Sequence, residues 1–144
     1  QMGWTYSIRL KLIDVTKLPR YQDNNNFYGA QLLTRHWVIT NSETGEINRV
    51  DGRGVVGYFP ILHKDGYINI GPDLSLTKNC EGWFSYQSMS GPLPNRSTFG
   101  GSLTFCINRD GKDMIIDDRS FDSINDKFDV VVPTFVLDVQ EYYY

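Results

Sequence analysis

Alternation of large apolar side chains with small or charged ones constrains the fold of this chain more than any other feature. It runs through residues 4–12 and again through residues 99–107. A period of two is that of a β-strand with one face buried and the other in water, whereas a helix repeats about every 3.6 residues. No long segment keeps the helical period. We therefore predict strands, and the buried face of the first carries Trp4, Tyr6, Ile8, Leu10 and Leu12.

Shorter apolar runs between turn residues predict further strands. In the last of these runs, Pro133 must lie at a sheet edge or a bulge, because proline has no N–H to donate to a ladder. We expect a glycine-rich loop at 51–57 and irregular surface at 71–81. The predicted strands lie at 32–39 and 46–50, which form a hairpin, at 67–70, which is weak, and at 83–87 and 128–137.

Several short strands without intervening helical patterns favour a two-sheet antiparallel β-sandwich over a fold of alternating strands and helices. The chain has 144 residues, which suits one domain, and its 14% aromatic content favours strands. We expect a single domain over 1–144. Because a strand begins within a few residues of Gln1, we also expect that it was taken from a larger protein.

The charge and the apolar pattern argue against two classes of partner. The net charge is -3, whereas nonspecific nucleic-acid binding depends on many Lys and Arg side chains that neutralise phosphates. No run approaches the roughly 18 apolar residues of a membrane span. The chain has two cysteines, Cys80 and Cys106, and is large enough to fold without a disulfide framework. We expect an intracellular protein, in the cytoplasm or nucleus ahead of the mitochondrion.

Two neighbouring blocks carry a family resemblance. The first is the strand 32–40 with Arg35-His36-Trp37 at its centre, and the second is the segment 51–62, with a Gly-x-Gly-Val-Val-Gly loop and Pro60. In order and spacing they resemble the ApaG domain family. Later blocks agree with the same family: Phe84-Ser85-Tyr86-Gln87-Ser88, then Gly101, Leu103 and Phe105 at alternate positions, then the closing strand with Pro133 and Phe135.

The resemblance covers most of residues 4–137, with two departures. The insertions at 63–82 and 108–127 are longer than those of the compact bacterial form, and residues 97–100 differ from the family pattern. These features resemble eukaryote-type members, which are attached to F-box proteins or to polymerase-interacting adaptor proteins.

The resemblance implies an immunoglobulin or fibronectin-III-like sandwich with two long loop insertions, used for protein–protein contact and without catalytic residues. We expect a non-enzymatic module that recruits another protein, as in an F-box ubiquitin-ligase adaptor or a polymerase-interacting adaptor. Two alternatives stay open. One is a domain that binds a small phosphorylated ligand or a divalent ion through the 52–57 loop, and the other is a scaffold subunit of a large ribonucleoprotein assembly.

The glycine-rich loop supplies the candidate binding residues. Its G-x-G-x-x-G spacing matches a phosphate-binding pattern, but that pattern needs a following helix, which Pro60 opposes. The glycines are better explained by positive φ or close backbone approach. An arginine between two glycines can reach a phosphate or a partner carboxylate, and the alternative is a solvated surface charge. The candidate binding residues are Gly52, Arg53, Gly54, Gly57 and Tyr58.

Other reactive side chains are assigned structural or surface roles. Trp37 is expected in the core, with Arg35 on the same face bonded to a carboxylate or carbonyls, and His36 on the opposite face. His36, His63, Cys80 and Cys106 lack the paired spacing of a zinc site, and no catalytic motif or cofactor site is predicted. The aspartates between 110 and 129 predict a solvated acidic loop or a patch for a basic partner rather than a calcium site.

Overall fold

The computed structural model describes residues 4–22, 27–73, 75–89, 96–111 and 126–138. Nine strands and one 3₁₀ turn, Val15–Lys17, lie in this part of the chain. None of its helices is long and apolar enough to cross a membrane. The strands are β1 (Thr5–Leu10), β2 (Gly29–Asn41), β3 (Ile47–Arg53), β4 (Ile61–His63), β5 (Gly66–Ile70), β6 (Leu76–Cys80), β7 (Phe84–Met89), β8 (Arg96–Asn108) and β9 (Lys127–Asp138).

The strands form two antiparallel sheets of unequal width. Strands β1 and β7 form the narrow sheet, and the wide sheet has the order β6-β5-β4-β2-β8-β9, with β3 paired to β2 beside β4. The two long strands β2 and β8 pair at the centre of the wide sheet. This arrangement confirms the predicted antiparallel sandwich and the predicted hairpin of β2 with β3.

Aromatic side chains join the two sheets. In β1 the even-numbered residues are half-buried and the odd-numbered ones exposed, as the alternation predicted. From this buried face, the Tyr6 ring centroid lies 5.1 Å from that of Phe99 and 6.4 Å from that of Trp37, across the core. Large aromatic rings bury about 150–250 Å² each, so this cluster supplies much of the energy that holds the sheets together.

Two segments expected to be irregular are strands instead. The predicted loop 51–57 begins inside β3, because β2 is long enough to pair with residues as far as Arg53. The predicted irregular surface 71–81 contains β6, which returns along β5 after a turn closed by the Gly71 N–H and the Ser75 carbonyl, 2.9 Å apart. The insertion 63–82 therefore contains a hairpin of β5 and β6. The short buried strand β4, which precedes it, was also not predicted.

Pro133 lies in an edge strand, at an irregularity where its missing N–H breaks no ladder. Among the described strands β9 is an edge of the wide sheet, and its register with β8 shifts between the pairs Phe99–Phe135 and Gly101–Val132. Pro133 is one of the residues in this shift, so both halves of the prediction, edge and bulge, are confirmed. Most of the other insertion, 108–127, lies outside the described residues, as do the aspartates at 113–122.

Candidate interaction surface at the glycine-rich turn

A tight turn follows β3. The Gly54 N–H donates to the Leu33 carbonyl at 2.7 Å, and then Val55 and Tyr58 exchange two backbone hydrogen bonds of 2.9 and 2.8 Å. The two residues between them, Val56 and Gly57, have φ values of 50° and 79°. These are the φ signs of a type I′ hairpin turn. Gly54, with φ of 57°, and Gly57 therefore have the positive φ predicted for them.

Val56 is the unusual residue of this turn. Type I′ turns favour Asn, Asp or Gly at both central positions, because a β-branched side chain at positive φ is strained. Such strain costs about 1–3 kcal/mol and persists only where the surroundings impose it. Here the neighbouring Val55 is fully buried, whereas Val56 is 49% exposed. The turn is thus anchored by one valine and displays the next to solvent.

Arg35 connects this turn to the centre of the wide sheet. Its Nη1 donates to the carbonyl oxygens of Arg53 and Gly54, each at 3.0 Å. The prediction that this arginine bonds to carbonyls or a carboxylate is therefore confirmed, and Trp37 is buried as expected. A β-carbon at Gly52 would lie 2.6 Å from the Arg35 guanidinium. Gly52 therefore serves close approach rather than a positive φ.

Arg53 and Tyr58 flank the turn. The Arg53 guanidinium carbon lies 5.7 Å from the centroid of the Phe59 ring, a cation–π geometry that leaves the residue exposed. The Tyr58 ring contacts Phe84 of the narrow sheet edge-on, with centroids 6.2 Å apart. The predicted binding residues therefore lie together at this turn. Gly52, Gly54 and Gly57 determine its backbone conformation, whereas Arg53 and Tyr58 have side chains that reach the surface.

A polar cavity of about 470 Å³ adjoins the turn. The turn packs directly against its wall, since a β-carbon on Gly57 would stand 2.8 Å from the Pro72 β-carbon. Hydrogen bonds from the hydroxyl and N–H of Ser75 hold the pKa of Asp73 below its ordinary value, so this carboxyl is ionised at neutral pH. The cavity is lined by Tyr58, Asn69, Gly71, Pro72, Asp73, Ser75 and Thr77.

The backbone around the turn is poorly suited to hold a phosphate. The N–H groups of Gly54, Val55, Tyr58 and Phe59 all donate to carbonyl oxygens inside the domain. The described segment after the turn continues into β4, not into a helix. The adjoining cavity adds the Asp73 carboxylate, and none of its lining residues is basic. These features oppose the cradling of an anion by helix N–H groups.

The other residues of the family pattern have structural positions. The Pro60 carbonyl accepts from the Leu32 N–H at 2.9 Å. Phe105 is buried, and the Phe135 ring lies 5.2 Å from that of Phe99. Gly101 has a φ of 140°, and a β-carbon there would overlap the His36 carbonyl oxygen. These residues build the core and the bulge rather than the surface around the turn.

A polar network on the outer face of the wide sheet was not anticipated. His36 Nδ1 lies 2.8 Å from Asp51 Oδ1, and its Nε2 lies 3.0 and 3.3 Å from the hydroxyls of Thr34 and Thr104. The Thr104 hydroxyl donates to Asp129 at 2.5 Å. The network joins β3, β2, β8 and β9. Alternation alone predicted that His36 points away from the core, but the sequence does not reveal the register that aligns its partners.

This carboxylate–imidazole–hydroxyl series has the order of atoms found in hydrolases, so its chemistry must be considered. The Thr104 hydroxyl is committed to Asp129. Around Thr34 and His36, β2 pairs with β3 on one side and β8 on the other, so its N–H groups belong to ladders. A hydrolase also needs free N–H donors aimed at a developing oxyanion. We interpret the network as a cross-link of four strands.

The thiols and histidines considered for metal binding are dispersed. Cys106 is buried in β8, and this burial raises the pKa of its thiol to about 11. Cys80 is at the end of β6, and His63 ends β4. Within the described ranges, no three His, Cys, Asp or Glu side chains are grouped to hold a metal ion. The C-terminal tyrosines at 142–144 lie outside those ranges.

Sequence comparison identifies related proteins for the first half of the chain. A family model described as the ApaG domain matches residues 1–67. Protein ApaG of Pseudomonas putida is 54% identical over 37 residues, which are 26% of this chain and 29% of that protein. Protein ApaG of Acidithiobacillus ferrooxidans is 54% identical over 39 residues, or 27% and 30%. The chain thus matches about three tenths of the length of these relatives.

Structural comparison extends the similarity over nearly the whole fold. A crystal structure described as the ApaA protein of Bordetella pertussis has a TM-score of 0.57 and 21% identity, and covers 97% of this chain and 78% of that one. A second X-ray structure, of a structural-genomics target, has a TM-score of 0.55 and 18% identity, with coverage of 99% and 81%. At these identities, the comparison establishes the sandwich fold.

Proposed function

We propose that this chain, whose residues 1–67 match the ApaG domain family, is a non-catalytic module that binds another protein through its glycine-rich turn. The binding surface consists of Arg53, Val56, Tyr58 and Pro72, which we call the turn surface. Its residues come from two separate parts of the chain: the end of β3 with the β3–β4 connection, and the β5–β6 connection. The Gly57–Pro72 approach fixes the two connections against each other.

The observation that carries this proposal is the strained display of Val56. An Asn or Gly at this position would form the same turn without strain. Instead, the chain holds an apolar, β-branched side chain in the left-handed region and leaves it half exposed. Local strain is characteristic of functional sites, where the conformation serves an interaction rather than stability. An apolar contact with a partner gives this side chain a role.

The chemistry beside Val56 supports the same function. Arg and Tyr are enriched at protein interfaces, because they combine apolar area with directional hydrogen bonds. Arg53 is exposed beside Phe59, and Tyr58 is half-buried between the turn and the cavity. The turn is held by the buried Val55 and by Arg35, so it is rigid before a partner arrives. Rigidity lowers the entropy cost of binding.

The resemblance to eukaryote-type members extends the proposal to the whole protein. In F-box relatives such a domain holds substrates of a ubiquitin ligase, and in polymerase-interacting relatives it forms part of an adaptor. We propose the same recruiting role here, with the catalytic work done by other proteins.

The test is quantitative capture of proteins from an extract of the organism's own cells, with the isolated chain as bait. We expect at least one partner whose capture falls about tenfold or more with Arg53→Glu. The matched control is Lys64→Glu, an equal charge reversal at an exposed residue of the β4–β5 hairpin. Equal capture by both variants would contradict the proposed surface.

A small ligand is the second hypothesis, supported by the polar cavity beside Tyr58. Its phosphorylated form has less support, because the neighbouring N–H groups are already bonded and Asp73 is ionised. Thermal-shift measurements with pyrophosphate, nucleotides and divalent ions test it directly. A ligand selective for the native state must raise the melting temperature, so an unchanged melting temperature at millimolar concentration would end this hypothesis.

A further inference from the structure

An open apolar groove lies between the narrow sheet and the far end of the wide sheet. Its volume is about 120 Å³ and nearly all of its lining is apolar. None of the lining residues belongs to the turn surface. The groove is lined by Leu10, Lys11, Leu12, Leu18, Ala30, Leu62, Phe105, Phe128 and Val130.

The groove exists because the two sheets differ in width. Among the described strands, β1 pairs with β7 alone and β9 pairs with β8 alone, so no other described strand covers the second edge of either. The inner face of β9 carries Phe128 and Val130, opposite Phe105 and Leu103 of β8. The two strands of the narrow sheet are too few to cover the inner face of β9 fully. Val130 is therefore 42% exposed, although it lies on the core side of the wide sheet.

Three lysines lie in the wall of this groove or next in sequence to residues that line it. Lys11 forms part of its wall, with its ammonium 5.6 Å from the centroid of the Trp83 ring. Lys17 and Lys127 are exposed, and each is next in sequence to a lining residue. In the part of the chain that the structure describes, no carboxylate forms a salt bridge with any of the three.

Among the described residues, the carboxylates close in sequence to the groove lining have hydrogen-bond or salt-bridge partners of their own. Asp126, the residue before β9, forms salt bridges with two arginines, Arg20 at 2.8 Å and Arg109 at 3.0 Å. Asp14 accepts from the N–H and the hydroxyl of Thr16. Asp129 points to the outer face of the sheet, where it binds Thr104. In the part of the chain that the structure describes, basic side chains therefore exceed acidic ones around the mouth of the groove, and a complementary ligand is acidic.

The free edge of β9 adds a directional element. Within β9, residues 127–132 precede the proline, so their edge can accept a further strand. Pro133 has no N–H, and the register shift begins beside it, which ends this stretch. A strand added here would place alternate side chains over the inner face of the sheet.

We propose that this groove binds an extended acidic segment of a partner protein, which pairs with the β9 edge over residues 127–132 and inserts an apolar side chain beside Val130. Acidic side chains on the segment pair with Lys11 and Lys127. This site is separate from the turn surface, so each can be disabled without the other.

The experiment selects a random peptide library, displayed on phage, against the immobilised chain and then measures the affinity of enriched synthetic peptides by fluorescence anisotropy. We expect enriched peptides to combine apolar residues at alternate positions with Asp or Glu. Val130→Glu should weaken their binding at least about tenfold. Its matched control is Val131→Glu, because Val131 is 77% exposed on the opposite face of the same strand.

Charge reversal provides a second variant that does not depend on the groove's packing. Lys127→Glu should weaken binding of acidic peptides, and Lys64→Glu should leave it within about twofold. The proposal is overturned if no peptide is enriched, if the enriched peptides lack acidic residues, or if Val131→Glu weakens binding as much as Val130→Glu. It is also overturned if the groove instead binds a second copy of the chain, seen as a dimer that Val130→Glu dissociates.

Discussion

The guanidinium of Arg35 lies against the α-carbon of Gly52, so closely that a β-carbon on residue 52 would be 2.6 Å from it. The same guanidinium donates to the carbonyls of Arg53 and Gly54. Residue 52 therefore determines whether Arg35 can reach the beginning of the turn. This links the inner face of β2 to the geometry of the turn surface.

Gly52→Ala should loosen the turn while leaving the rest of the sandwich intact. The added methyl group displaces the flexible end of Arg35, and two carbonyls lose a charged donor. We expect a loss of about 1–3 kcal/mol in the free energy of unfolding, measured by urea denaturation. Arg35→Met removes the same hydrogen bonds without the clash, so the two variants should destabilise similarly. An unchanged stability for both would contradict this role for Arg35.

Gly101→Ala should be one of the most destabilising single substitutions in the chain. Residue 101 has a φ of 140°, and a β-carbon would overlap the backbone of the paired strand, which cannot move aside as a side chain can. We expect a loss of about 3 kcal/mol or more. Gly45→Ala is the control, because Gly45 has a positive φ of 76° but an open surrounding.

The Gly45 variant should therefore lose only about 1–2 kcal/mol, the cost of the left-handed conformation alone. Thermal or urea unfolding of the two variants separates backbone strain from overlap. Equal losses would show that the approach of Gly101 to β2 is unimportant.

His63 should make the domain less stable in mild acid. Burial lowers the pKa of His63 below its ordinary value of 6.5, so between the folded and ordinary values the unfolded chain binds more protons. The free energy of unfolding then falls as the pH falls through 6.5, and the loss ends below the folded pKa. In a comparison of urea denaturation at several pH values, His63→Gln should remove this component, so the difference in free energy of unfolding between the two proteins should change with pH in mild acid and become constant above neutral pH. A difference in free energy of unfolding that stays the same over the whole pH range would contradict this role for His63.

Alternation along single strands explains why much of this fold was predictable. The buried face of β1 and the core positions of Trp37 and Phe105 follow from a period of two and from local composition. Pro133 was also placed correctly, because the missing N–H limits its position regardless of the rest of the fold.

Features that depend on pairing partners were not predictable in the same way. The end of β3 is set by the length of β2, and β6 is a strand because it pairs with β5. The His36–Asp51–Thr104 network needs the register of three strands. In the turn, the glycines indicated positive φ, but nothing in the residue pattern indicated that Val56 would adopt it too.

The most direct test of the proposed function is to measure stability and partner affinity together for Val56→Asn. Asn suits the left-handed conformation, so the free energy of unfolding should rise by about 1 kcal/mol. Affinity for the partner captured by the wild-type chain should fall by about tenfold, because the apolar contact is lost. A variant that is more stable yet binds the partner as tightly as wild type would contradict the claim that Val56 is displayed for binding.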